Sequence, residues 1–179
     1  SIRERLSQNA YPVQLPIGIE ENFHSVIDLL ERKVYAFSGQ LGEVITESDI
    51  PDEYKEKVEQ YRSELVEKLA ESDDALIEKY LSGQEISLPE LKAALRKMTI
   101  LAQIYPVFAG ASLSNIGFQK LLDGVIDYLP SPADKEKVIG YTMDTHEQVE
   151  LRPSSDGPFV ALVFKLQTDP YVGRLVYFR

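Results

Sequence analysis

The sequence predicts an α/β chain in two parts, an α+β stretch rich in helix followed by a run of strands. Three patterns carry that expectation. Residues 51–71 repeat apolar side chains at helical spacing, and residues 105–130 read as a strand, a tight loop and a helix. Val160, Leu162, Phe164 and Leu166 then alternate with other positions, as one face of a strand does.

Taken in order, Arg3, Glu4, Arg5 and Leu6 read as the last turn of a helix. Residues 11–17 set Val13, Leu15 and Ile17 against Gln14 and Pro16, and the prolines confine that run to a short or edge strand. Residues 33–37 and 43–46 are β-prone and separated by a glycine-bearing loop, which predicts a hairpin. Residues 51–71 place Tyr54, Val58, Tyr61, Leu65 and Leu69 on one stripe of a helix. A shorter helix over 73–81 is stopped by Gly83. Ser87 and Glu90 form a capping box that opens a helix with Leu91, Ala94, Leu95 and Met98 turned inward.

Pro106, Val107, Phe108 and Ala109 make a short apolar run suited to a strand buried on both faces. Gly110, Ala111 and Ser112 form the turn after it, and Phe118, Leu121, Leu122, Val125, Ile126 and Leu129 recur at helical spacing. Beyond Pro130 the pattern turns to strands, with a loop over 168–173 and a second strand from Leu175. The opening helix has no beginning and the closing strand no turn, so the sequence is expected to be part of a longer chain.

Composition narrows the function classes. A formal net charge of −10 argues against nonspecific nucleic-acid binding, and the absence of cysteine excludes disulfides and thiolate metal sites. No apolar run reaches the roughly 18 residues of a membrane helix and the N-terminus is not a signal peptide, so the expected compartment is the cytoplasm. His24 and His146, the two histidines, share no metal-ligand spacing and read as surface residues. No catalytic residue and no metal ligand is assigned. No glycine is followed by lysine, so the phosphate loop Gly-x-x-x-x-Gly-Lys-Ser/Thr is missing, as are Asp-x-x-Gly and Asn-Lys-x-Asp.

Two features remain as candidate sites. A strand, a small-residue loop and a helix can build a nucleotide pocket at the strand's carboxyl end, so Gly110, Ala111 and Ser112 are either ligand contacts or a plain turn. Residues 51–80 hold ten acids and five bases, a local charge of 5 − 10 = −5. That surface is either a solvated face or a docking site for a basic partner.

The segments "IRERL", "QLPIG", "IEKYLSGQEI", "ALRKMT", "GVIDYLPSP" and "TDPYVGRLVYFR", in that order, resemble bacterial translation elongation factor G. The resemblance implies four regions. Residues 1–10 would end a helix of a P-loop GTPase domain, and 11–103 would be an α/β insert of that domain. Residues 104–135 would be its closing strand, guanine loop and last helix, and 136–179 the truncated start of a β-barrel second domain. The phosphate loop, the switches and the Asn-Lys-x-Asp motif would lie upstream.

By the same resemblance the parent protein is a GTPase, using GTP with magnesium, that moves tRNA and mRNA through the ribosome. The fragment alone is expected to be inactive and to hold no nucleotide. Gly110, Ala111 and Ser112 would be a guanine-binding fringe, with the Ser112 N–H facing guanine O6. The family's loop usually runs Gly-Ser-Ala, so the usual serine side chain is absent at Ala111. The insert would contact the ribosome, including its stalk protein, with Glu56, Glu64, Glu67 and Glu71 as the acidic candidates. Two other readings stay open: an acidic protein-binding module, and a fragment of a related ribosomal-protection or release-factor GTPase.

Overall fold

Val13 is where the chain changes sheets. In the computed structural model, which describes residues 2–40, 42–134, 137–142, 144–154, 156–157 and 159–179, a short helix α1 (Ile2–Arg5) leads into β1 (Ala10–Pro12). One residue later β2 (Gln14–Ile17) begins. The single strand expected over 11–17 is therefore two. The reason lies in the backbone hydrogen bonds: the Val13 N–H donates to the Val107 carbonyl at 2.9 Å, while its own carbonyl accepts from the Leu29 N–H at 2.9 Å. Pro12 and Pro16, which lack an N–H, flank that exchange.

The N-terminal compact unit spans Ser1–Leu129. In it, β1 pairs in parallel with β6 (Tyr105–Val107), Ala10 opposite Tyr105. A second, antiparallel sheet has the order β2, β3 (Ser25–Asp28), β4 (Lys33–Ser38), β5 (Val44–Ser48). The β4–β5 hairpin is the one the sequence predicts. Strand β3 is not, because all four of its residues are buried and no alternation marks it. Asp28 tolerates that position by turning its carboxylate onto the N–H groups of Leu30 (3.0 Å) and Glu31 (2.9 Å).

Three helices cover this sheet pair: α2 (Asp52–Ala70), α3 (Asp74–Leu81) and α4 (Leu88–Ile100). Asp73 caps α3 by accepting from the Ala75 N–H at 3.0 Å. At the start of α4, Glu90 Oε2 accepts from both the Ser87 N–H (3.0 Å) and the Ser87 hydroxyl (2.8 Å). Val58, Leu65 and Leu69 of α2 and Leu91, Ala94, Leu95 and Met98 of α4 join Val13, Ile27, Leu29 and Ile104 in one core. Burying each large aliphatic side chain contributes about 1.5–3 kcal/mol. Arg62 of α2 ties the core to the β3–β4 turn, donating to the carbonyls of Leu29 (2.6 Å) and Leu30 (3.1 Å).

The strand–loop–helix unit departs from expectation in its burial. β6 is not covered on both faces; Tyr105 is 47% exposed and the next two residues are half-buried. Only β1 lies beside it among the described residues. Helix α5 (Phe118–Tyr128) buries Gly124 and Tyr128, whereas its predicted stripe, Phe118, Leu121, Leu122, Val125 and Ile126, is exposed. Gly124 lets α5 lie on Phe108, since a Cβ there would come 2.4 Å from the Phe108 ring.

The second compact unit, Pro130–Arg179, is a β region. Hairpin β7 (Val138–Tyr141) with β8 (Gln148–Leu151) and hairpin β9 (Val163–Asp169) with β10 (Gly173–Phe178) are its two antiparallel sheets among the described residues. The strand expected from Val160 starts at Val163, although Leu162 still exchanges backbone hydrogen bonds with Arg179 at 2.9 and 3.0 Å. Asp169 shapes the β9–β10 turn by accepting from the N–H groups of Tyr171 (2.8 Å) and Val172 (2.9 Å). The domain boundary read at 135/136 lies outside the described residues.

Candidate functional site

The loop after β6 is built by small residues and closed by one bridge. The Ala111 N–H donates to the Ile116 carbonyl at 2.8 Å and the Ile116 N–H returns to the Ala111 carbonyl at 3.1 Å. Between them a 3-10 turn runs Ser112–Ser114, and Asn115 adopts the left-handed conformation at φ 53°. Gly117 at φ 76° is required twice over, by that conformation and because a Cβ would lie 2.4 Å from the Ala109 carbonyl oxygen.

This geometry sorts the three predicted residues. Ala111 has its amide occupied by the bridge. Gly110 is exposed but approaches Ile116, whose carbonyl oxygen would sit 3.1 Å from an added Cβ. Ser112 is exposed, and among the described residues none accepts from its N–H. Leu113, fully exposed, likewise has no acceptor for its N–H among the described residues, so the loop beyond the carboxyl end of β6 offers the amides of Ser112 and Leu113 as unbonded donors.

The loop rests on the four-stranded sheet. Ala109 and Ile116 pack with Phe23 against Val26, Tyr35 and Phe37. From the first turn of α5, Gln119 Nε2 donates to the Gly42 carbonyl at 2.9 Å, and Lys120 Nζ reaches Glu31 Oε2 at 3.3 Å. Glu31 also accepts from Lys92 Nζ of α4 (2.7 Å) and from the Tyr35 hydroxyl (2.5 Å). Lys120 Nζ lies 3.6 Å from the centre of the Tyr35 ring, a cation–π contact.

Burial pushes the Glu31 carboxyl up, but the bonds from Lys92 and Tyr35 and the two lysine charges outweigh it and hold the group at about 2. Glu31 raises Lys92 in return. Burial also raises Asp28 and Tyr128, whose side chains line the same cleft of about 170 Å³ with Lys92, Lys120 and Phe108. Sequence reasoning missed this cluster. Its members come from positions 31, 35, 92 and 120, and only Glu31 and Tyr35 are close in sequence.

The four acidic candidates on α2 do not behave alike. Glu56 and Glu67 are exposed. Glu71 is exposed and paired with Lys68 at 2.5 Å. Glu64 is half-buried and bound by Arg3 at 3.3 Å, so it is tied to α1. All four fall on one side, because spacings of 8, 3 and 4 residues at about 100° per residue keep Glu56, Glu64, Glu67 and the C-cap Glu71 within an arc of about 80°. His24 and His146 are exposed and fall in different compact units. Among the described residues no group of three His, Asp or Glu could hold a metal ion, and no helix is long and apolar enough to cross a membrane.

Fold and loop together define an α+β domain followed by a β region, with a strand–loop–helix unit at the end of the first. The chain is similar to a crystal structure of a protein from Thermus thermophilus, with a TM-score of 0.75 and 27% identity over 99% of this chain. This chain spans 24% of that one. No protein-family model matches the sequence.

Proposed function

We propose that the chain is part of a cytoplasmic translational GTPase resembling bacterial elongation factor G, which moves tRNA and mRNA through the ribosome. In this reading residues 110–112 edge a guanine pocket, and 11–103 form an insert that meets the ribosome. The observation that carries it is Ser112, an exposed residue beyond the carboxyl end of β6 whose N–H has no acceptor among the described residues, in a loop where the neighbouring Ala111 amide is already bonded. Such a donor suits guanine O6 and meets a like donor in adenine, whose exocyclic group is an amine. The similarity to a chain about four times as long supports a larger parent.

The residues present fit a base edge and no other part of a nucleotide. No glycine is followed by lysine anywhere in the sequence, so phosphates and magnesium would be held by segments outside it. Bound GTP would supply a hydrolysable phosphoanhydride, while this chain orients the base through one amide. The test is Ser112→Pro in the longer protein, which removes the donor and leaves the chain in register. Fluorescent GDP should bind about tenfold more weakly or worse, with Ser112→Ala unchanged because it keeps the N–H. Equal affinity in Ser112→Pro overturns the guanine assignment.

The insert's proposed partner is the ribosomal stalk protein, met through Glu56, Glu67 and Glu71, which α2 presents together. Titrating the isotope-labelled chain with the stalk protein's C-terminal domain should shift insert resonances, more at low salt than at moderate salt. No shift at high micromolar partner rejects that docking. Exposure of the same acids also favours a second reading, an acidic binding module that works without nucleotide. Binding that survives reversal of all three charges would eliminate it.

A further inference from the structure

The loop that follows β6 does not hold its own shape. Its internal hydrogen bonds are the Ala111–Ile116 bridge and the weak 3.4 Å bond from the Asn115 N–H to the Ser112 carbonyl. Apart from the Leu121 N–H of α5, which donates to the Gly117 carbonyl at 3.0 Å, the contacts that fix it come mainly from the four-stranded sheet and its β4–β5 turn. From below, Val26, Tyr35 and Phe37 support Ala109 and Ile116. At the hairpin end, Gly42 approaches so closely that a Cβ there would lie 3.1 Å from the carbonyl oxygens of both Ser114 and Asn115. Gly42 also receives the Gln119 side chain, and Glu31 with Tyr35 receives Lys120. Gln119 and Lys120 are the second and third residues of α5, so they sit just past Gly117, where the loop ends.

We infer that Gln119 and Lys120 are positioning residues through which the β2–β5 sheet sets the conformation of residues 110–117. Their two attachments are complementary. Gln119 bonds a backbone carbonyl at the tip of the β4–β5 hairpin, a contact that reads the tip's position. Lys120 enters a site already organised by Lys92 and Tyr35, so its ammonium exchanges water for a carboxylate and a ring face at little ordering cost to the partners. A shift of the sheet must then move the loop. By linkage, a ligand that selects one loop conformation must favour one sheet position, and a partner that displaces the sheet must change the loop's affinity by the same factor. The last consequence rests on the guanine reading above; the positioning itself does not.

Amide hydrogen exchange on the 179-residue chain tests it. Replacing Lys120 with Met and Gln119 with Leu should speed exchange of the Ala111 and Ile116 amides at least tenfold and leave Leu65 and Leu95 amides in the core unchanged. Lys120→Arg, which keeps the charge and the ring contact, should restore protection in the Lys120 series. Unchanged exchange at Ala111 and Ile116 overturns the inference, and so does a loss of protection spread equally over the core, which would mark the residues as merely structural. A milder variant, Gln119→Glu, keeps the helix intact and loses the donor, so it reads the same contact if the double variant does not fold. Dissociation of fluorescent GDP from the longer protein is a separate arm. Loosened amides with unaltered nucleotide dissociation reject the guanine reading and leave the positioning contacts standing.

Discussion

Helices α4 and α5 are both amphipathic, yet one is covered and the other is not. α4 buries Leu91, Ala94, Leu95 and Met98 against α2 and the strands. α5 leaves Phe118, Leu121, Leu122 and Val125 between 40% and 46% exposed and Ile126 76% exposed. The periodicity of the two is alike, so periodicity reports that a face exists and says nothing of what covers it. α5 is instead held at its edges, by Gly124 on Phe108, by Lys120 on Glu31 and by Arg96 of α4, which donates to the carbonyls of Asp127 (2.8 Å) and Leu129 (3.3 Å). Polar attachments and one close backbone approach do for α5 what aliphatic burial does for α4.

The contrast can be broken most forcefully at Leu95. Leu95→Ala should cost about 2–5 kcal/mol in chemical denaturation, because the fully buried side chain leaves a cavity in the core that α4 shares with α2 and the strands. A loss under 1 kcal/mol would mean that the α4 face collapses freely and is no better packed than α5.

The attachment at Glu31 should show in acid. Its carboxyl is depressed to about 2 from an ordinary value of 4.5, so the stability it contributes is fully present above about 4.5 and lost as pH falls toward 2. The contribution is about 3 kcal/mol at most. Urea midpoints measured between pH 6 and pH 2 should fall less steeply in Glu31→Gln than in the parent, and parallel slopes would contradict the cluster.

At the close approach, Gly124→Ala should cost about 1–3 kcal/mol, since the new methyl meets the Phe108 ring and either the ring or the helix must shift. Thermal melts that match the parent would show that Phe108 swings aside freely. The smallest effect is expected on the open face itself. Ile126→Lys should change stability by less than about 0.5 kcal/mol, as exposed substitutions do. A larger loss, read by denaturant titration, would mean that the face is covered in solution.

Much of the fold was legible because its signals are local. The α2 and α4 stripes, the Ser87–Glu90 box, the β4–β5 hairpin and the Asp169 turn are each written within a few residues. Strand β3 escaped because Ser25 and Asp28 look polar, although Asp28 satisfies itself on the backbone just ahead. The division at Val13 escaped because alternation continues through it while the hydrogen-bonding partners change. At the candidate site, the small residues 110–112 were legible as a turn, but the role of each depends on which amides the Ile116 bridge occupies. The Glu31 cluster had no comparable signal. Its charges look like ordinary surface pairs until the fold gathers them.

Val13 carries a mechanical consequence. Its N–H grips β6 and its carbonyl grips Leu29, whose own carbonyl is held with that of Leu30 by Arg62 of α2. The two sheets are therefore joined through the backbone of one residue, in parallel with the contacts that the 110–117 loop makes on β2–β5. A tug on the strand that ends at the 110–117 loop travels through Val13 to the turn at 29–30, and from there to the guanidinium on the helix that bears Glu56, Glu67 and Glu71.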